Sequence, residues 1–251
     1  MTYDILILGG GEAPEGLEQY SDYGTKATLK LGSRLMIEYV VDGLRDAPGA
    51  GRILVVGNPD PLEKVLAGKV WKIAPAKDSM FENLGAGLEA FKDSDFIMVS
   101  TCDIPLITGP MVQRFADASE LSGGDICYSV LEKSVFDASY PTTRRTYGKL
   151  KDGVFTGGNL VMLRPEVLRR NWNRIEAVIA ARKSPLKLAQ QIGFWFIILF
   201  VLRQLRIAAV EAKIESIIGA KMKAVKVDDA EIGIDVDKIV DFELVRSALG
   251  Q

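Results

Sequence analysis

Histidine is absent from all 251 residues of this chain. That removes a histidine general base, a Ser-His-Asp triad and histidine-ligated zinc. Any metal must then be held by oxygen, which favours Mg²⁺, Mn²⁺ or Ca²⁺. Cysteine is nearly absent: Cys102 and Cys127 are too few for a disulfide framework and fit a reducing, cytoplasmic setting. No charge of one sign dominates, since 31 Lys and Arg face 33 Asp and Glu. Electrostatics therefore gives no reason to expect a nucleic-acid polymer as partner. The first residues form neither a basic nor a long apolar region, so no secretory signal is expected. The most hydrophobic run, Ile192 to Leu202, is well short of the roughly 20 residues that span a bilayer.

What is present is material for a core: 48% of residues are apolar and 25% charged, enough for one large α/β domain. Tyr3 to Leu8, Ile53 to Gly57, Val70 to Ala74 and Asp95 to Thr101 read as short buried strands. Helical patterns over Arg34 to Leu44, Phe81 to Phe91 and from about Pro110 alternate with them. This order predicts a Rossmann-like, mostly parallel mixed sheet with helices on both faces. After Gly123 the rhythm changes. Asp125 to Leu131, Thr146 to Leu150 and Leu160 to Leu163 read as strands, with a turn at Lys151-Asp-Gly153. The pattern from Pro165 to Ala220 is mostly helical, and Ala224 to Val227 and a helix from about Lys238 close the chain. A single domain over 1–251 is expected, with 132–220 as an acceptor-side insertion and helical region.

In such sheets ligands bind beyond the carboxyl ends of the strands. Two features fall there: Gly9-Gly10-Gly11 after Leu8, and Cys102-Asp103-Ile-Pro105 after Thr101. The glycines fail two templates. A P-loop would need Lys and Ser or Thr where Leu17-Glu18 stand, and a dinucleotide fingerprint needs glycine where Pro14 stands. Glu12 and Glu15 would repel phosphate unless a metal or lysine intervened, and Lys26 and Lys30 could supply that charge. Downstream, Gly233-Ile-Asp235-Val-Asp237 places two carboxylates two residues apart in an extended segment, so both point the same way. With Asp103 they make three acids from distant segments, suited to a hard divalent ion bridging phosphate oxygens. The competing readings are structural: Asp103 as a turn cap and Asp237 as the N-cap of the last helix.

Taken in order, the glycines after a strand, Lys26 before Leu29-Lys-Leu31-Gly, Asp103-Ile-Pro105, and Ile234-Asp-Val-Asp237 resemble the MobA-like NTP transferases, with relatives among the sugar-phosphate and CMP-sugar nucleotidyltransferases. The resemblance spans Ile5 to Leu244 and is loose over about 132–217. It implies a fold of the nucleotide-diphospho-sugar transferase type and a Mg²⁺- (or Mn²⁺-) dependent nucleotidyltransferase. Such an enzyme moves an NMP group from an NTP to a phosphorylated small-molecule acceptor and releases pyrophosphate. By the same resemblance Leu8, Gly9, Gly10, Gly11, Lys26, Asn83 and Asp103 bind the NTP, with Lys26 and Asp103 catalytic. Asp103, Asp235 and Asp237 hold the metal, and Gly158 and Asn159 of Gly157-Gly-Asn159 line the acceptor side. The family usually carries an arginine shortly after the glycines. Ala13-Pro-Glu-Gly16 stands there instead, and Lys30, Arg144 or Arg145 are the candidates to replace it.

Other basic groups could reach the acceptor: Arg144 and Arg145 in Thr142-Thr-Arg-Arg-Thr-Tyr-Gly-Lys149, and Lys183 in Arg182-Lys-Ser-Pro185. Each has a solvated-surface reading beside it. Cys102 reads as a small buried residue, with no base near it in sequence to make it a nucleophile. The run Ile192 to Leu202 reads first as a buried helix or a homodimer contact. The sharper alternative is a wall for a lipid-tailed acceptor, or a contact with a membrane surface. Two other functional classes stand beside the transferase: an idle nucleotide-binding module of the same fold, favoured by the missing arginine, and a nicotinamide-dependent oxidoreductase, disfavoured by the broken fingerprint.

Overall fold

The computed structural model describes residues 1–181 and 192–251. Its first half alternates as expected: β1 (Tyr3–Leu8), a small antiparallel pair of β2 (Lys30–Leu31) and β3 (Arg34–Leu35), α1 (Met36–Arg45), β4 (Ala50–Gly57), α2 (Pro59–Val65), β5 (Lys72–Pro75), α3 (Met80–Ala90), β6 (Ile97–Thr101) and α4 (Gly109–Ser122). There follow β7 (Ile126–Glu132), α5 (Lys133–Ser139), β8 (Gly148–Leu150), β9 (Gly153–Leu163), α6 (Pro165–Arg170) and α7 (Trp172–Ala181). After the undescribed segment come α8 (Phe194–Val201), α9 (Ile207–Ile218), β10 (Met222–Lys226) and α10 (Ile239–Ala248).

The main sheet runs β10-β7-β9-β6-β1-β4-β5, with β8 paired to β9. All neighbours are parallel except where β9 lies antiparallel between β6 and β7, and where β8 meets β9. Strand alternation explains the two-sided burial. Ile5, Ile7, Ile53, Val55 and Met98 point to one face, against Val40, Val41 and Leu44 of α1, Phe115 of α4 and Phe242 of α10. Leu6, Leu54, Val56, Ile97 and Val99 point to the other, against Phe81 and Leu88 of α3, Leu168 of α6 and Ile175 of α7. Burying each such side chain stabilises the fold by roughly 1.5–3 kcal/mol.

Beyond the unforeseen α2, α5 and β2–β3 pair, two differences from the sequence reading bear on function. β9 begins seven residues earlier than the expected Leu160 and crosses the centre of the sheet, so Gly157, Gly158 and Asn159 lie within a strand. Thr156-Gly-Gly-Asn159 has weak strand propensity, and pairing of Thr156 and Gly157 with Leu131 and Val130 of β7 overrides it. Here glycine is a packing requirement. A Cβ on Gly158 would meet Ser129 Oγ at 2.5 Å, Ile232 Cγ2 at 3.0 Å and Leu131 Cδ1 at 3.1 Å. The second difference is the apolar run. α8 forms within it but has no buried residue, so the expected buried helix is corrected to an exposed one. Phe194 is 76% exposed and Trp195 68%.

Candidate active site

The loop after β1 is built so that its far end returns to the glycines. Glu12 bridges Thr25, Ala13 N donates to Gly24 O at 2.9 Å, and Lys26 N donates to Gly11 O at 2.9 Å. Leu17 is fully buried, and Ser21, Thr25 and Thr28 join through their hydroxyls. The longer loop is thus closed on itself, and it delivers Lys26 to the ends of β1 and β6.

There Lys26 Nζ lies 2.7 Å from Asp103 Oδ2 and 2.5 Å from Asp237 Oδ1. Asp103 follows β6, and its backbone carbonyl accepts from Val236 N at 3.0 Å, which ties the Asp235–Asp237 segment against it. Carboxylate oxygens of Asp103, Asp235 and Asp237 lie within 4.8 Å of one another. Asp235 in turn receives Arg145 Nη1 at 2.7 Å. Asp103 is 7% exposed, and its Oδ1 is buried without a hydrogen-bond partner. An orphaned buried acceptor ordinarily costs about 1–3 kcal/mol. An all-oxygen cluster with an unsatisfied carboxylate oxygen is the donor set a hard divalent cation takes, so these residues fit Mg²⁺ or Mn²⁺.

The ionisation pattern follows from this crowding. Burial opposes charge on Lys26, but Asp103 and Asp237 outweigh it and hold the ammonium well above the usual lysine range. Burial raises Asp235 beyond what Arg145 offsets, whereas Asp237 is lowered because the Lys26 hydrogen bond and charge overcome its burial. Burial also raises the Cys102 thiol far above the usual range, in line with a packing role. Neither Asp103 nor Asp237 is a structural cap: among the described residues the Asp103 carboxylate bonds only to Lys26, and the first backbone N–H groups ahead of α10, those of Asp237 and Lys238, donate to Asp241.

Two cavities meet at this cluster. The first, about 270 Å³, is lined by Leu8, Gly10, Gly11, Lys26, Asn83, Thr101, Cys102 and Asp103, and by Lys77 to Met80 at the start of α3. Gly10 is held close to the neighbouring loop, since a Cβ there would stand 2.6 Å from Ala76 Cβ. Asn83 accepts from Lys77 N at 2.7 Å through Oδ1. The second cavity, about 750 Å³, is lined by Thr142 to Thr146, Thr156, Asp235, Asp237, Lys238, Val240, Asp241 and Leu244. It contains both Arg144 and Arg145.

Several predicted positions fall elsewhere. Gly9 is buried and its N–H donates to Val56 O at 2.7 Å, so only Gly10 and Gly11 of the three glycines line the first cavity. Gly158 is packed inside the sheet, and Asn159 Nδ2 donates to Ile232 O at 3.1 Å, which steadies the turn leading to Asp235. Neither residue lines the second cavity. Lys30 pairs with Asp22 at 2.6 Å on the surface, away from the cluster. Lys183 lies outside the described residues. Lys77, Ser79, Thr143 and Lys238 line the cavities although the sequence reading passed over them. For Ser79 the signal was available: Ser79-Met-Phe-Glu82 has capping-box spacing, and Ser79 Oγ accepts from Glu82 N at 3.1 Å.

A crevice beyond parallel strand ends, with oxygen ligands, a central lysine and a helix N-terminus at one wall, defines a phosphate-handling α/β protein. Residues 5–190 match the family model of the MobA-like NTP transferase domain, and the chain belongs to that nucleotidyltransferase family. It is similar to a hypothetical transferase from Thermus thermophilus at 30% identity, with a TM-score of 0.87 over 96% of this chain and 100% of that one. CMP:2-keto-3-deoxy-manno-octonic acid synthetase, solved with CTP, shares 14% identity at a TM-score of 0.62, covering 100% and 99% of the two chains. The 2-C-methyl-D-erythritol 4-phosphate cytidylyltransferase of Thermus thermophilus shares 15% at 0.58, covering 100% of both. At those identities the last two show the fold. Among the described residues no helix is long and apolar enough to cross a membrane.

Proposed function

We propose that this protein transfers a nucleoside monophosphate group from an NTP to a phosphorylated small molecule and releases pyrophosphate. The observation that supports this is the junction of the two cavities. Lys26 lines the smaller cavity and pairs with both Asp103, on that side, and Asp237, on the larger one. An acceptor phosphate oxygen attacks the α-phosphorus, the bond from that phosphorus to the α,β-bridging oxygen breaks, and pyrophosphate leaves with the electron pair. The acceptor phosphate is already ionised at neutral pH, so the absence of histidine costs nothing. Catalysis reduces to bringing two anions together and neutralising their charge.

Mg²⁺ or Mn²⁺ held by Asp103, Asp235 and Asp237 would supply charge neutralisation on the phosphate oxygens. The chain's own residues do the rest. Gly10 and Gly11 let the triphosphate approach the backbone, Asn83 and the start of α3 wall the nucleoside, and Lys26 presents its ammonium to the phosphates. Arg144, Arg145 and Lys238, which line the larger cavity, receive the acceptor phosphate. The whole chain acts as one domain, in which 132–220 furnishes the acceptor side.

The test is pyrophosphate release with each of the four NTPs against a panel of phosphorylated acceptors. Asp103→Ala should lose about 10²–10³ in turnover while remaining folded. A near-normal rate in that variant would overturn the assignment. NTP binding without turnover for any acceptor would favour the idle nucleotide-binding module.

A further inference from the structure

α8, Phe-Trp-Phe-Ile-Ile-Leu-Phe-Val, exposes Phe194, Trp195, Phe200 and Val201, and Leu202 beyond it is exposed as well. An apolar surface of this kind in contact with water needs an occupant. At 1.5 Å per residue the helix is only about 12 Å long, which suits lying in an interface and not crossing a bilayer.

The charges around it indicate what that occupant is. The helix end is anchored on the β8–β9 turn: Lys151 N donates to Leu205 O at 2.8 Å, and Ile207 N donates to Asp152 at 3.1 Å. A methyl group at Gly148 would stand 3.9 Å from Phe200. This places exposed Lys149, Lys151, Arg203 and Arg206 near the apolar helix, and among the described residues none of the four has an ion pair. From Arg182 to Ala209 the sequence contains no acid at all, and in the 141–152 segment Asp152 is the only one. Asp152 is already engaged by Ile207 N. A second copy of this face would bring the same cations against one another, whereas an anionic bilayer surface satisfies the apolar residues and the cations together.

We infer that α8 and its flanking cations form a docking surface for an anionic lipid bilayer, with the aromatic side chains entering the headgroup boundary. β8 joins this surface to the Thr142–Thr146 wall of the larger cavity, so docking holds that cavity beside the lipid surface.

Flotation of the full chain with vesicles tests this without NTP or acceptor, so it is read separately from nucleotidyl transfer. Vesicles of equimolar phosphatidylcholine and phosphatidylglycerol should carry the protein up, with a blue shift of Trp195 emission. Phosphatidylcholine alone should not. Phe194→Glu/Trp195→Glu should abolish flotation. Arg203→Gln/Arg206→Gln should weaken it by about tenfold or more, since each cation near such a surface contributes on the order of fivefold. All four positions are exposed and outside both cavities, and unchanged melting temperature and pyrophosphate release in solution would show that the variants are folded. No flotation, equal flotation with neutral vesicles, or full binding by the Phe194→Glu/Trp195→Glu variant would overturn the inference. A dimer in sedimentation that this variant dissolves, without flotation of the parent chain, would identify a second copy as the occupant instead.

Discussion

Lys26 shows how one side chain links both halves of the site. Its ammonium lies among carboxylates that would otherwise repel one another: Asp103 and Asp237 bond to it directly, and Asp235 is held by Arg145. Removing it by Lys26→Ala should lower turnover by about 10²–10³. It should also lower the metal-free melting temperature and enlarge the stabilisation that added Mn²⁺ gives, because Asp103 and Asp237 then lack a compensating cation. Thermal shift with and without Mn²⁺ measures this, and an unchanged Mn²⁺ increment would contradict the role. Away from the site, Asp42 carries a readable pH dependence. Burial opposes its charge, but Lys69 and Arg34 overcome that and lower its ionisation below the ordinary carboxylate range. A carboxylate lowered on folding stabilises above its unfolded value, and that stability is lost as pH falls through the folded value. Asp42→Asn should therefore cost below ~1 kcal/mol at neutral pH and flatten the acid limb of stability against pH, as measured by urea unfolding.

Among the elements, β9 carries the most consequence for its length. It pairs with β6 and β7 and also forms part of the floor beneath Asp235, through Asn159 and the Ala230–Gly233 turn. Gly158→Ala places a methyl group against Ser129, Leu131 and Ile232. Overpacking of this kind costs about 1–3 kcal/mol. Denaturant titration should show the loss, and catalysis should fall with it because Ile232 leads directly to the Asp235–Asp237 segment. The glycine loop is the counterpart on β1. Its 3-10 turn at Lys26–Thr28 and the Gly11–Lys26 hydrogen bond fix the lysine without an arginine in the loop itself.

At the level of the molecule, the two cavities adjoin across one charged seam, and the proposed reaction would take the NTP in one and the acceptor in the other. Arg144 lines only the larger cavity and is exposed, so Arg144→Ala should raise the acceptor KM about tenfold and leave the NTP KM unchanged. Arg145→Ala should do more, lowering turnover as well, because it strips Asp235 of its partner. Steady-state kinetics with each substrate varied in turn distinguishes the two. Equal effects on both KM values would remove the division of labour between the cavities.

Much of this was legible in the residues. Continuous apolar strands alternating with amphipathic helices determine a two-sided parallel sheet, because both sheet faces must be buried, and β1, β4 and β6 end where that pattern ends. The absence of histidine and the acids Asp103, Asp235 and Asp237 point from the sequence to an oxygen donor set, and the structure brings those three carboxylates together. Other outcomes needed distant partners. Gly157-Gly-Asn159 resembles a ligand loop until β7 pairs with Gly157 and Ser129, Leu131 and Ile232 pack against Gly158. Ile192 to Leu202 resembles a buried segment until the sheet places its helix outside both hydrophobic clusters. Composition fixes what a segment would bury if it could; only the tertiary packing decides which faces are covered, and so which glycines line a cavity and which aromatic residues meet solvent.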